Sequence, residues 1–173
     1  MKYKLTSKKI ASLGVLSALG LIMFMVESLF PPLFIPGAKM GLSNIFSLLT
    51  LILMSPLDAV IVVFVRTVIG SFFFGSMSTL IYSLSAGLVS VLVSSLLYKL
   101  VFPKITLIAI SAVAAVVHNL TQNLIFCLVT NTPQMFVYMP YLAVLGVIAG
   151  VLVGIAVKLI VRYLPTDILL KFD

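Results

Sequence analysis

Charge in this sequence is nearly confined to the ends of long apolar runs, and that distribution decides what the chain can fold into. No Asp, Glu, Lys or Arg falls between Lys104 and Lys158, and none between Arg66 and Lys99. A helix needs about 20 mostly apolar residues to cross a bilayer. Runs of that character lie at 9–30, 40–55, 57–75, 78–98, 105–130 and 140–163. Only 9% of the 173 residues are charged and 62% are hydrophobic, whereas a soluble domain carries about 25% charged residues. Such a chain cannot cover itself with a surface that water tolerates. The expectation is a single all-α integral membrane domain over residues 1–173, with six transmembrane helices.

The breaks between runs have chemical causes. PPLFIPG after Phe30 holds three prolines and a glycine, which no helix crosses. In MSPLD, Pro56 opens a new helix where its missing N–H costs nothing. FFFGSMS is a short turn, and YKLVFPKI and TNTPQMFVYMP separate the last three spans. The N-terminal run is too long for a signal-peptide core and has no small-x-small cleavage site before Glu27, so it reads as an uncleaved first span. With the N-terminus inside, Lys2, Lys4, Lys8, Lys9, Lys99, Lys104, Lys158, Arg162 and Lys171 fall on the cytoplasmic side, and Lys39 falls outside. The positive-inside rule then puts both termini in the cytoplasm. The formal net charge of +7 reflects this bias. It does not indicate a nucleic-acid partner, because no aromatic residues interleave the basic ones. Cys127 is the single cysteine, which excludes an internal disulfide and a cysteine metal cluster.

Small residues mark the packing faces. Gly146, Gly150 and Gly154 recur every fourth residue in the sixth run, and Ser83, Gly87, Ser90 and Ser94 form a similar stripe in the fourth. Such ridges let helices approach closely where lipid supplies no hydrophobic drive. Ala11, Gly14 and Ala18 share a face of the first run. That face suits either packing within the bundle or docking of a partner.

Three features do not fit simple packing. HNLTQN sets His118 beside Gln122 and Asn119 beside Asn123 at i, i+4, giving a broad polar face in the middle of an apolar helix. Amides facing lipid are costly, so this face points inward. It is either a hydrogen-bond clamp between helices or the wall of a ligand site. Arg66 lies near the centre of LDAVIVVFVRTVIGSFFF, where an arginine costs at least about 3 kcal/mol on insertion scales. Glu27 is the acid best placed to pair with it, and the alternative partner is an anionic or carbonyl-rich ligand. In IPGAKMGLSN, a Pro-Gly turn delivers Lys39 to the start of the second helix, with Asn44 one turn in. A helix N-terminus beside a lysine suits an anion, although a lysine anchored at the interface is an equally common arrangement.

Other chemistry is missing from the sequence. There is no Walker motif, no set of histidines for a metal, no nucleophile–histidine–acid arrangement, and no clustered aspartates of the kind that hold magnesium in a polyprenyl diphosphate synthase. No catalytic or metal residues are assigned. The expected role is not enzymatic, or at most that of a non-catalytic component of such a synthase.

ESLFPPLFIPGAKMGLSNIFSLLTL, VRTVIGSFFFGSMSTLIYSLSAGLVS and VVHNLTQNLIF closely resemble the heptaprenyl diphosphate synthase component I family, also called the Gx transporter family, from about residue 10 to 160. The resemblance implies a link to isoprenoid and menaquinone synthesis. It also implies kinship with the substrate-binding S components of energy-coupling factor (ECF) transporters. Those are six-helix proteins with cytoplasmic termini that bind vitamins or cofactors from outside, with the first loop as a lid. A transmembrane coupling subunit and two ATPases power them. S components typically carry Ala-x-x-x-Ala in the first helix for docking. Here Ala11 is followed four residues later by Val15, and the nearest equivalent is Gly14–Ala18.

The expectation is therefore an S component in a bacterial cytoplasmic membrane. Glu27, Lys39, Asn44, Arg66, His118, Asn119, Gln122 and Asn123 would line its ligand site, and Ala11, Gly14 and Ala18 its docking face. The cargo would be a vitamin-like molecule, with a flavin or another phosphorylated cofactor suiting both the amides and the cations. The alternative is a membrane accessory component of polyprenyl diphosphate or menaquinone synthesis.

Overall fold

A computed structural model describes residues 6–29, 41–75 and 77–164. Six helices account for nearly all of them: α1 (Ser7–Leu29), α2 (Asn44–Leu53), α3 (Pro56–Phe74), α4 (Met77–Leu100), α5 (Leu107–Thr130) and α6 (Met139–Tyr163). A 3-10 turn, Pro133–Tyr138, leads into α6. Ser55 caps α3 by accepting from the Asp58 N–H, with Pro56 at the first helical position. Thr106 caps α5 in the same way through the Ala109 N–H, and Asn131 ends that helix in the left-handed conformation.

Five spanning helices agree with the sequence to within a few residues. Among the described residues, five helices are long and apolar enough to cross a membrane. The second differs. Residues 40–55 were expected as a span, but α2 has only 10 residues, about 15 Å against a hydrocarbon core of about 30 Å. The apolar run counted toward its length includes Gly41, which has φ +72°, and the turn at Leu42 and Ser43. The molecule is a multi-pass helical membrane protein with one half-length helix inside it.

That helix is central. It packs on α1, α3, α4 and α6, and five consecutive residues, Ser47 to Leu51, are buried. Around it the seams are made in different ways. Along α5–α6, a Cβ added at Gly146, Gly150 or Gly154 would lie 2.9, 2.5 or 2.7 Å from the Cα of Val116, Ala112 or Ile108. The two backbones touch, as the small-residue ridge predicts. Between α4 and α5, the Ser90 hydroxyl donates to the Ala114 carbonyl at 2.9 Å, and Tyr82 meets Phe126 edge-on. Between α1 and α3, Lys9 and Asp58 pair at 2.8 Å, and the Phe24 ring packs where a Cβ on Gly70 would be.

The bundle has an axial polarity. Lys8 and Lys9 at the start of α1, Lys99 at the end of α4, Lys104 in the following link, and Lys158 and Arg162 near the end of α6 mark one end. The buried apolar cluster, including Leu48, Leu51, Val63, Ile110 and Val157, occupies the half next to that basic end. Of the buried polar residues, Glu27, Arg66, Thr67, Ser71, Ser83, His118, Asn119, Gln122 and Asn123 occupy the middle and the far half, and Asp58, Ser94 and Ser111 lie toward the basic end. Apolar side chains such as Phe72, Leu92, Val144 and Leu152 face outward, as lipid requires.

Because the α5–α6 contact is backbone to backbone, Gly150→Val has no flexible neighbour to displace. It is expected to cost at least about 1–3 kcal/mol, whereas Gly14→Ala, with nothing within 4 Å of the new Cβ, is expected to stay within about 0.5 kcal/mol of the parent. Thermal unfolding in detergent compares them, and equal melting temperatures would refute the ridge.

Candidate functional site

The N-terminus of α2 lies inside the bundle. Arg66 Nη2, from the middle of α3, donates to Asn44 Oδ1 at 2.7 Å. Asn44 is the first residue of α2, so the half-helix starts at mid-height of a full-length one. Gly41 precedes it, and its N–H donates to the Glu27 carboxylate near the end of α1. A side chain at Gly41 would be strained by the positive φ and would meet the Asn44 amide nitrogen at 2.9 Å. Gly20 of α1 makes room for the Arg66 stem, since a Cβ there would lie 3.2 Å from its Cδ. The structure thus brings together Glu27, Asn44 and Arg66. Lys39 lies outside the described residues.

Arg66 is 3% exposed. Glu27 is near enough to act on the guanidinium electrostatically, and Asn44 takes one nitrogen. Nε and Nη1 have no hydrogen-bond partner among the described residues. A buried donor left unmet costs about 1–3 kcal/mol, and more when charged.

The polar face of α5 divides into two roles. Asn119 Nδ2 donates to the Leu142 carbonyl of α6 at 3.1 Å, and Asn123 Nδ2 donates to the Met135 carbonyl of the 3-10 turn at 3.1 Å. Those two asparagines are a clamp. Gln122 is 4% exposed, and its Nε2 has no partner among the described residues. His118 is buried one turn away. Gly41 and Asn44 line a small cavity together with Ala114 and Ala115 of α5, one turn before His118 and Asn119. Asn119 and Asn123 share a line along α5 at i, i+4, as do His118 and Gln122, and the two lines are about 100° apart.

Sequence reasoning missed several participants. The Ser47, Ser90, Ser94 and Ser111 hydroxyls line that cavity. Ser90 and Ser94 were visible only as part of a packing stripe. The Lys9–Asp58 pair was also missed, although Asp58, 0% exposed, also accepts from the Ser55 hydroxyl at 2.6 Å. Ala11, Gly14 and Ala18 sit on an exposed face of α1.

The fold and interior define a helical membrane protein whose buried centre is rich in hydrogen-bond donors. The chain belongs to the heptaprenyl diphosphate synthase component I family, whose model matches residues 16–160. No curated protein and no solved structure matches it.

Asn119→Leu removes an interhelical bond and is expected to cost about 0.6–1.7 kcal/mol. Gln122→Leu removes an unmet donor from the ligand-free protein and is expected to be neutral or stabilising. Melting temperatures of the two variants measured without ligand test the division of the face. A Gln122→Leu loss matching that of Asn119→Leu would make the whole face a clamp.

Proposed function

We propose that the chain is the substrate-binding subunit of an ECF-type transporter in a bacterial cytoplasmic membrane. In this reading the basic end and both termini face the cytoplasm, and the polar half faces outward. A vitamin- or cofactor-like ligand enters from that side. The observation that carries the reading is Arg66, 97% removed from solvent with two nitrogens unmet among the described residues, beside Asn44 at the start of a half-helix. Broken helices that present an N-terminus at the membrane midplane are a recurrent way of meeting anionic groups of a transported molecule.

Among the described residues, Arg66 Nε and Nη1, Gln122 Nε2 and the Ser71 and Ser83 hydroxyls are buried donors or hydroxyls without partners. A ligand rich in acceptors complements them. A heteroaromatic ring with carbonyls and ring nitrogens, attached to a phosphate, has that chemistry, and a flavin is one such molecule. Asn119 and Asn123 hold the wall, while Gln122, His118 and Asn44 orient the ligand. Lys39 adds positive charge in this reading. Ala11, Gly14 and Ala18, exposed on α1, form the docking face for the coupling subunit, which works with two ATPases. The protein itself binds and delivers, and catalyses nothing.

The family's description favours a second reading: a membrane accessory component of polyprenyl diphosphate or menaquinone synthesis. Arg66 then holds a diphosphate, and the bundle holds an isoprenoid tail.

Mass spectrometry of small molecules released from the purified protein, wild type against Arg66→Ala, separates the two. The expected result is a cofactor-like compound bound one to one in wild type. Its affinity falls about tenfold or more in a variant that keeps its melting transition, since a charged hydrogen bond contributes about 1.5–3 kcal/mol. A prenyl lipid lost on the same substitution would favour the accessory role. Nothing bound, or equal retention by both proteins, would remove Arg66 from any site.

A further inference from the structure

The flank of α2 below Asn44 faces a cavity of about 30 Å³ with a hydroxyl-rich wall. Ser47 of α2, Ser90 and Ser94 of α4 and Ser111 of α5 line it. Their hydroxyls are not equivalent. Ser90 donates to the Ala114 carbonyl at 2.9 Å and Ser94 to the Ser90 carbonyl at 2.7 Å. Both protons are committed, so both oxygens are left as acceptors. Ser47 is 3% exposed, and its Oγ has no partner among the described residues.

A guest that meets all three hydroxyls donates to Ser90 and Ser94 and either accepts from or donates to Ser47. An anion has no proton to give. An apolar group leaves Ser47 unmet at about 1–3 kcal/mol. A metal cation can use the lone pairs, but no carboxylate is among the lining residues to offset its desolvation, and the Arg66 guanidinium stands one hydrogen bond beyond Asn44. Water donates twice and accepts twice. It needs about 10–15 Å³ of such space and two to four polar partners, so the cavity has room for two.

We propose that the cavity between α2, α4 and α5 is a built hydration site that binds one or two waters beneath the Arg66–Asn44 pair. The inference rests on the hydroxyl pattern and stands whether or not the transporter reading holds. Bound water satisfies the inner flank of α2 and forms the floor of the polar half. It also gives α2 a different kind of seam from the α5–α6 backbone contact. The serines of α4 then serve two purposes: Ser90 fastens α4 to α5 by its proton and solvates the cavity by its lone pairs.

Hydroxyl-radical footprinting by X-ray radiolysis of the full-length protein in detergent reads this directly. A hydroxyl radical formed from a bound water abstracts hydrogen from a side chain that touches it and leaves as water, and the carbon radical then takes up dissolved oxygen. Leu48 and Leu51 line the cavity at 6% and 3% exposure. They are expected to be oxidised despite that burial, because the radical is generated beside them. Ser47→Val, which fills the space and removes the hydroxyl, is expected to abolish that label, and Ser94→Ala to weaken it if the bulkier change prevents folding. Unlabelled Leu48 and Leu51 in the wild type would mean a dry cavity and overturn the proposal. So would labelling unchanged by both substitutions. A sodium-dependent rise in melting temperature at constant ionic strength, lost in Ser94→Ala, would place a cation there instead of water.

Discussion

Inside a bilayer-spanning bundle there is no bulk water to answer a charge, so a buried guanidinium has to be met by protein or by a guest. Much of the geometry around Arg66 follows from that requirement. Asn44 can accept from it only because α2 begins at mid-height rather than at the membrane surface. That start depends on Gly41 turning the chain through a conformation that other residues resist. The Gly41 N–H is in turn held by Glu27, whose charge also opposes that of Arg66. Removing any member of this chain of contacts would release the one before it.

A site of this kind needs rigid walls, and the remaining helices supply them without a hydrophobic effect to pull them together. The α5–α6 seam brings backbones into contact over three glycines, and two asparagines add hydrogen bonds at the far end of the same seam. The Lys9–Asp58 pair ties α1 to α3 at the basic end, while Phe24 over Gly70 ties them further along. Apolar packing dominates the half beside the basic end. The polar groups around Arg66 and along HNLTQN lie beyond it, on helices whose positions are already set.

The sequence made the spans legible because a helix in lipid has to be apolar over a fixed length and is ended by proline, glycine or charge. The glycine ridge of α6 was legible for the same reason: only packing requires a small residue every fourth position. Arg66 and HNLTQN stood out because lipid makes such residues costly. What could not be read was partnership. Nothing in HNLTQN distinguishes Asn119, which bonds to Leu142, from Gln122, which bonds to none of the described residues through its Nε2. The Lys9–Asp58 pair joins residues far apart in the chain, and Lys9 looked like one more cytoplasmic lysine. The length of α2 was misjudged because hydropathy does not register a turn. Leu42 is as apolar as any helical leucine, and only the positive φ at Gly41 marks where the helix cannot extend.

The two functional readings differ in what they ask of the neutral groups, not of Arg66. A diphosphate and the phosphate of a cofactor would satisfy a guanidinium equally well. Gln122 Nε2 and the hydroxyls of Ser71 and Ser83 belong to three further positions on α5, α3 and α4, all buried and all without partners among the described residues. An isoprenoid tail offers them no acceptor, and each would stay unmet at about 1–3 kcal/mol. A compact ring system with carbonyls and ring nitrogens offers acceptors along its edge. It would convert several such penalties into hydrogen bonds made only when it is present. That difference in free energy between the filled and empty bundle is what a binding subunit needs in order to hold its ligand, and it would work against a protein whose guest is a hydrocarbon chain.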